Sequence, residues 1–288
     1  MDLSIIFGIT AAICWGSADF VAKIAVTKIG YLKSVLLMQS VGGVFMLLVV
    51  SSDIYRLQSF PRATYLAIIL GVVNAVATIA LYKSFEVGQL SIMSPISSSY
   101  SALASILAFF FLNERVTQVK LVGILCIFVG IILVSFQKAS QSSSNSKGIA
   151  SGVGYALTTF VCMGVLFFAL KLVVIDLGGL LPVLILRIVT ALVAGGFLLV
   201  KGDHAKARWL ASSFSLVAFV GVVDSLAIVA YNLGIIVGAV VVVSFVSSLF
   251  SVIAILLARI VLKERLVSHQ MVAVIIIISG IAIIGYFS

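Results

Sequence analysis

Long apolar runs separated by short polar segments restrict the fold of this chain more than any single motif does. Only 9% of the 288 residues are charged, whereas a soluble domain has about 25%. Hydrophobic residues make up 63% of the chain. Too few polar side chains remain to cover a water-facing surface, so the sequence predicts an integral membrane protein surrounded largely by lipid.

Ten of the apolar runs are long enough to cross a bilayer as helices, which takes about 20 mostly apolar residues each. Pro61 and Pro182 lie near predicted helix starts, where proline is tolerated, and Gly88 and Gly238 mark the tightest hairpins. The predicted spans are 3–26, 33–51, 64–86, 91–111, 118–136, 149–172, 180–200, 213–236, 239–258 and 268–287.

An internal repeat relates the two halves of the chain. Leu112–Val116 (LNERV) recurs 150 residues later as Leu262–Leu266 (LKERL). The same shift repeats several small residues: Gly71 and Gly221, Gly88 and Gly238, and Ser97-Ser98 and Ser247-Ser248. A shift of 148 repeats positions of the first helix: Gly16 and Gly164, Phe20 and Phe168, and Lys23 and Lys171. We therefore predict a duplicated five-helix unit.

Because each unit has five spans, an odd number, the second unit enters the membrane from the opposite side. The predicted fold is all-α, with ten transmembrane helices arranged as two inverted five-helix repeats at 1–137 and 149–288. A Ser-rich linker at 138–148 joins them. Many secondary transporters have inverted repeats and bind substrate near the membrane midplane between them.

Two segments also resemble a known family. Cys14–Lys23 (CWGSADFVAK) and Asn113–Thr117 (NERVT), which has a later copy, resemble the drug/metabolite transporter superfamily, specifically its ten-helix EamA-type branch. The resemblance covers essentially the whole chain and makes each half an EamA-like repeat. It implies a secondary carrier without ATP hydrolysis, in a branch that includes exporters of amino acids and other metabolites. The second copy departs from the pattern, with Met163-Gly164 in place of Trp-Gly.

Asp19 lies inside the first predicted span, where a charged side chain needs a reason. At the centre of a membrane helix a charge costs about 2.5–3.5 kcal/mol on insertion scales. Trp15, Asp19 and Lys23 are spaced at i, i+4 and i+8 and share one helix face. We expect Asp19 to line a wet cavity with Trp15 as an aromatic wall. The alternative is an Asp19–Lys23 pair that stabilises the helix end.

Asp224 lies at the centre of the eighth span, and Asn74 occupies the equivalent place in the third. Polar residues at equivalent centres of both halves predict a shared midplane cavity. The alternative is an interhelical hydrogen bond that only holds the bundle together. A buried carboxylate suits proton-driven transport, so Asp224 is the first candidate for proton coupling and Asp19 the second.

Further side chains complete the candidate substrate site, with helix packing as the alternative. Three lie on the same helix faces as Asp224 or Asn74: Tyr82, Tyr231 and Asn232. Arg187, about seven residues into the seventh span, could hold an anionic substrate group, pair with a carboxylate, or extend to the membrane surface. Tyr100 and the serines beside it, Ser97–Ser99, are weaker candidates, because small residues on membrane helices mostly permit close packing.

The sequence gives no support to a metal, cofactor or nucleic-acid site. Its cysteines (Cys14, Cys126, Cys162) and histidines (His204, His269) are isolated from one another. The net charge of +9 is dispersed between apolar runs and forms no basic stripe. We also find no catalytic constellation, so we expect no enzyme, although an intramembrane lipid-modifying enzyme and a channel are the alternatives.

The leading hypothesis is a secondary active transporter that exports amino acids or similar small metabolites. It would work by alternating access around a midplane cavity lined by spans 1, 3, 4, 6, 8 and 9. The expected partners are a small-molecule substrate and the lipid bilayer, with the protein a monomer or homodimer. We expect a multi-pass protein of a prokaryotic plasma membrane.

The basic residues and the resemblance disagree about orientation. Loops opposite the termini carry nine basic residues: Lys28, Lys33, Lys138, Lys147, Lys201, Lys206, Arg208, Lys263 and Arg265. Loops on the side of the termini carry four: Arg56, Arg62, Arg115 and Lys120. The positive-inside rule places both termini outside, whereas the resemblance implies termini in the cytoplasm.

Overall fold

The backbone is helical almost throughout the part of the chain that the structure describes. This computed structural model describes residues 3–50, 54–112, 118–135, 143–201, 208–264 and 268–286. In lipid a helix satisfies its own backbone hydrogen bonds, so apolar runs of this length become helices. The helices are α1 (Leu3–Ile29), α2 (Tyr31–Val50), α3 (Arg56–Ser59), α4 (Pro61–Val87), α5 (Leu90–Ser98), α6 (Tyr100–Leu112), α7 (Gln118–Ser135), α8 (Ser143–Leu177), α9 (Leu181–Lys201), α10 (Arg208–Val237), α11 (Val240–Ser248), α12 (Phe250–Ile260) and α13 (Ser268–Tyr286).

Eight helical segments of the described chain are long and apolar enough to cross a membrane, and they confirm the predicted all-α membrane fold. They are Leu3–Ile29, Tyr31–Val50, Pro61–Val87, Leu90–Leu112, Ser151–Leu177, Leu181–Lys201, Ser213–Val237 and Val240–Ile260. Helices α7 and α13 lie where the fifth and tenth spans are predicted, and α13 contains the shorter apolar stretch Met271–Gly280.

The structure differs from the prediction at the Ser-rich segment. Helix α8 begins at Ser143, inside the predicted linker 138–148, and residues 136–142 lie outside the described part. No proline lies between 143 and 149, and a single glycine, Gly148, costs a helix only about 1 kcal/mol. Serine alone is too weak a helix breaker to keep this segment extended.

The fourth and ninth spans are each interrupted once, at equivalent positions. Helix α5 ends before Ser99 and α11 before Leu249, which lies 150 residues later. Pro95 precedes the first break, but Phe245 holds the equivalent place before the second. The break therefore belongs to the repeated architecture and does not depend on the proline.

Packing between helices is symmetric when the two halves are exchanged. Helix α1 packs on α10 as α8 packs on α4, while α2 packs on its equivalent α9 and α7 on its equivalent α13. Single contacts repeat in the same way. A Cβ atom added at Gly16 would meet Ile253, and one added at Gly164 would meet Leu103, the residue equivalent to Ile253. This pseudosymmetry agrees with the predicted pair of repeats.

Two half-buried lysines repeat the same contact in both halves. Lys23 Nζ donates to the carbonyls of Phe85 and Gly88 at the end of α4, the second at 2.7 Å. Lys171 Nζ donates to the equivalent carbonyls at the end of α10, those of Ile235 and Gly238. The last carbonyls of a helix lack intrahelical donors and carry partial negative charge. Each ammonium therefore stabilises a helix C-terminus.

Glu264 connects the second half to the first. Its carboxylate accepts hydrogen bonds from the backbone N–H of Leu90 at 3.0 Å, the N–H of Ser91 at 2.9 Å and the Ser91 hydroxyl at 2.5 Å. A carboxylate is expected at a helix N-terminus. Glu264 precedes α13 in the chain, but the N-terminus that it contacts is that of α5 in the other half. The equivalent Glu114 lies outside the described residues.

Candidate functional site

A cavity lies between the two halves and is lined by both. Its walls come from α1, α4, α5, α6, α8, α10 and α12, which belong to the six predicted spans 1, 3, 4, 6, 8 and 9. The lining residues are Trp15, Asp19, Asn74, Thr78, Leu81, Tyr82, Ser97, Tyr100, Thr159, Met163, Phe167, Asp224, Ile228 and Phe250. The cavity is small: the volume that the centre of a water molecule can occupy is about 50 Å³. This is enough for a few water molecules.

Asp224 is the centre of a polar network that crosses between the halves. Trp15 Nε1 donates to Asp224 Oδ1 at 2.9 Å, and Arg187 Nη1 donates to Asp224 Oδ2 at 2.6 Å. Arg187 Nη1 also donates to Gln39 Oε1 at 2.9 Å. The guanidinium is therefore an ion-pair partner of Asp224 and does not extend to the membrane surface, since Arg187 is only 1% exposed.

Arg187 keeps hydrogen-bonding capacity that the described residues do not use. Its Nε and Nη2 atoms are buried and have no hydrogen-bond partner there. Gln39, which the sequence analysis did not select, is 1% exposed. The two residues are equivalent at the shift of 148 and bond directly to each other, so they lie where the two repeats meet.

Asp19 differs from Asp224 because none of the residues that the structure describes compensates its charge. It lines the cavity at 7% exposure, and its Oδ2 atom is buried without a hydrogen-bond partner. The alternative of an Asp19–Lys23 pair is not the observed arrangement, because the Lys23 ammonium donates to the backbone carbonyls of α4. Asp19 is therefore a carboxylate that lines a small cavity, and no described cationic side chain pairs with it.

Asn74 lines the cavity and also holds α4 to α9. Its Nδ2 atom donates to Thr190 Oγ1 at 2.8 Å. Asp224, the residue equivalent to Asn74, contacts the same helix α9. Its partner there is Arg187, which lies about one turn from Thr190. Asn74 and Asp224 therefore each line the cavity and also form a contact between helices.

Aromatic rings form a continuous wall around Phe167, which the sequence analysis did not select. Its ring centroid lies 5.2 Å from Trp15, 4.6 Å from Tyr100 and 4.6 Å from Tyr231. Phe250, also not selected, lies 6.0 Å from Trp15. Tyr100 is fixed by a 2.9 Å hydrogen bond between its hydroxyl and Ser247 Oγ.

Six of the nine candidate substrate-site residues line the cavity: Trp15, Asp19, Asn74, Tyr82, Tyr100 and Asp224. Arg187 reaches the site through Asp224. Tyr231 lies behind the aromatic wall, with its hydroxyl 2.7 Å from Ser244 Oγ. Asn232 donates to the Gly179 carbonyl at 2.9 Å and holds the α8–α9 connection, outside the cavity lining.

Met163 lines the cavity, at the position where the second half departs from the Trp15-Gly16 motif of the first. Three equivalent pairs at or beside the cavity share one asymmetry: a charged residue in one half corresponds to a neutral residue in the other. The pairs are Arg187 and Gln39, Asp224 and Asn74, and Asp19 and Phe167. Among the residues that the structure describes, no group of three or more His, Cys, Asp or Glu side chains could hold a metal.

Comparisons with known proteins agree with this architecture. The model of the EamA-like transporter family matches the chain twice, at residues 2–136 and 150–286. An uncharacterized protein of Methanocaldococcus jannaschii is 31% identical over 135 residues, which are 47% of this chain and 98% of that protein. One crystal structure shares the fold with a TM-score of 0.72 at 15% identity, over 99% of this chain and 98% of the other.

Proposed function

The chain belongs to the EamA-like transporter family, and we propose that this multi-pass membrane transporter is a secondary active exporter of amino acids or similar small metabolites. It resides in a prokaryotic plasma membrane and works by alternating access. The family is one of transporters, which argues against the alternative of an intramembrane enzyme. The substrate site of the proposal is the cavity between the halves.

The observation that carries the proposal is the polar network across the two halves. Trp15 and Gln39 of the first half contact Asp224 and Arg187 of the second beside the cavity. In transporters with inverted repeats, one repeat or bundle moves against the other around a central site. Contacts that cross between the halves at that site can respond to the occupant, because a change of charge in the cavity alters their strength.

Proton coupling is proposed at Asp19 in preference to Asp224. Asp224 already accepts hydrogen bonds from Arg187 and Trp15, so its ionised form is compensated in this conformation. Asp19 has a buried oxygen without a hydrogen-bond partner among the described residues. A buried charge is costly unless it is paired, and a proton or a bound cation would remove that cost at Asp19. If a proton and the bound cation replaced each other at Asp19, substrate export would be coupled to proton entry.

Transport by the purified protein in liposomes tests the proposal against the channel alternative. We expect efflux of at least one metabolite from a broad panel to saturate with concentration. We also expect efflux to accelerate when the same compound is supplied on the opposite side, because a loaded carrier returns faster than an empty one. Flux without saturation or acceleration would indicate a channel. If no compound moved faster than in empty liposomes, the proposed function would be wrong.

A further inference from the structure

We propose that the cavity selects small organic cations, namely molecules that carry an ammonium group and no carboxylate, and that Asp19 binds the ammonium. This inference rests on the proposed transport function; among the small metabolites of that proposal it selects amines and excludes amino acids. It follows from the charges that line the cavity, the unused hydrogen-bond acceptors in its wall and the aromatic rings around it.

The charges beside the cavity do not balance. Asp19 and Asp224 both line it, and none of the lining residues that the structure describes is Lys, Arg or His. Arg187, which is not itself a lining residue, neutralises Asp224 through the 2.6 Å ion pair. The charge of the second carboxylate, Asp19, is left for the occupant to neutralise.

The acceptors in the wall suit an ammonium group. Asp19 Oδ2 and Ser97 Oγ both belong to lining residues, and both atoms are buried without a hydrogen-bond partner in the described chain. Asp19 is 7% exposed and Ser97 is 2% exposed. An alkylammonium has up to three N–H donors and no acceptor. A bound ammonium would therefore use acceptors that the fold leaves unpaired.

The remaining walls favour a cation as well. Five aromatic residues line the cavity: Trp15, Tyr82, Tyr100, Phe167 and Phe250. The faces of such rings attract cations, most strongly when water is excluded, and aromatic cages are a known way to bind ammonium groups. The rings also supply apolar contact for a short carbon chain.

The charge of the cavity wall disfavours a carboxylate on the occupant. Trp15 Nε1 already donates to Asp224, and one N–H of Asn74 Nδ2 already donates to Thr190. The carboxylate would also lie beside two carboxylates of the protein, and like charges in close contact are strongly disfavoured. The proposal therefore selects the amine metabolites and excludes zwitterionic amino acids.

Matched pairs of compounds that differ by one carboxylate test the proposal: ethanolamine with serine, and cadaverine with lysine. Counterflow in liposomes and the melting temperature of the purified protein are measured for each compound. A ligand that binds the folded state raises the melting temperature. We expect the amines to be bound and transported, and each amino acid to bind at least about tenfold more weakly because of the like-charge contact.

Two variants separate a role of Asp19 from a general effect on folding. Asp19→Asn should abolish the response to amines without lowering the melting temperature, because it removes an uncompensated buried charge. Asp19→Glu should restore part of the response. Asp176→Asn is the matched control, since Asp176 is a half-buried carboxylate of α8 that does not line the cavity. It should behave as wild type.

The outcomes distinguish this inference from the proposed function on which it rests. Equal responses to an amine and its amino acid, or amine transport that survives in Asp19→Asn, would overturn the inference. Transport of other metabolites with no response to amines would overturn it as well, but would leave the proposed function standing. Failure to transport any compound of the broad panel would overturn both.

Discussion

Asp224→Asn is expected to lower the free energy of unfolding by about 3–5 kcal/mol, because it leaves the buried Arg187 guanidinium without its counter-charge. Arg187 is 1% exposed, and its Nε and Nη2 atoms already lack hydrogen-bond partners among the described residues. The Asp224 side chain is 20% exposed, so water in the cavity can reach it, and we expect the lower end of this range. Denaturant or thermal unfolding of the detergent-solubilised protein measures the change.

A double-mutant cycle separates the lost ion pair from a general disturbance of the bundle. Arg187→Gln alone should also destabilise, because Asp224 then lies uncompensated in a cavity that already contains Asp19. The double variant, Arg187→Gln with Asp224→Asn, removes both charges and should be more stable than the sum of the single effects predicts. Additive losses would show that the two charges do not stabilise each other, and would contradict the account.

Gly221→Ala should produce the second large loss of stability, because α2 and α10 touch there backbone to backbone. A Cβ atom at Gly221 would lie 2.6 Å from the Met38 carbonyl oxygen and 3.0 Å from the Gly42 nitrogen. Neither atom can move unless a whole helix shifts, and overpacking of this kind typically costs about 1–3 kcal/mol. The crossing lies within one turn of Gln39 and Asp224, so transport should fall as well.

Gly196→Ala in α9 is the matched control for this substitution. A Cβ atom added there would meet nothing within 4 Å, and alanine is a better helix former than glycine by about 1 kcal/mol. The control should therefore melt at or above the wild-type temperature. If both variants melted at the same temperature as wild type, the close crossing of α2 and α10 would not exist in the folded protein.

Most of the fold is predictable from the sequence because lipid imposes simple requirements on the chain. Apolar runs of helical length become spans, and the recurrence of Leu112–Val116 at Leu262–Leu266 reveals the repeat without any structure. Where prediction and structure differ, the local signal is weak. The start of α8 at Ser143 has no proline or preceding glycine to mark it.

The cavity is partly predictable because polar residues stand out in apolar spans. Asp19, Asn74 and Asp224 are conspicuous for this reason, and all three line the cavity. Phe167 and Phe250 carry no such signal, because the chain contains 19 phenylalanines and many of its large apolar side chains are exposed on the outside of the bundle. Gln39 was detectable in principle, since the shift of 148 aligns it with Arg187.

Tyr231 and Asn232 show the limit of reasoning from helix faces. They follow Asp224 along one face of the same helix, seven and eight residues later. That spacing corresponds to about 10–12 Å along the axis, which carries them beyond the cavity to contacts with Ser244 and Gly179. A shared helix face predicts the direction in which side chains point, but not how far along the bundle axis they lie from the cavity.

A cysteine introduced at Met163 reports whether the cavity opens in turn to the two faces of the membrane. Met163 lines the cavity on α8. In a protein whose native Cys14, Cys126 and Cys162 are replaced by alanine, Met163→Cys is exposed to a charged, membrane-impermeant thiol reagent. The reagent is applied to one face of sealed vesicles and then, in a separate sample, to the other. Val165→Cys, at an exposed apolar position of the same helix, serves as the lipid-facing control.

If access alternates, Met163→Cys is labelled from either face while the reagent never enters the vesicle lumen, and Val165→Cys is not labelled. Labelling from one face only, or from neither, would contradict alternating access around this cavity. Labelling from both faces together with leakage of the reagent into the lumen would instead identify an open channel.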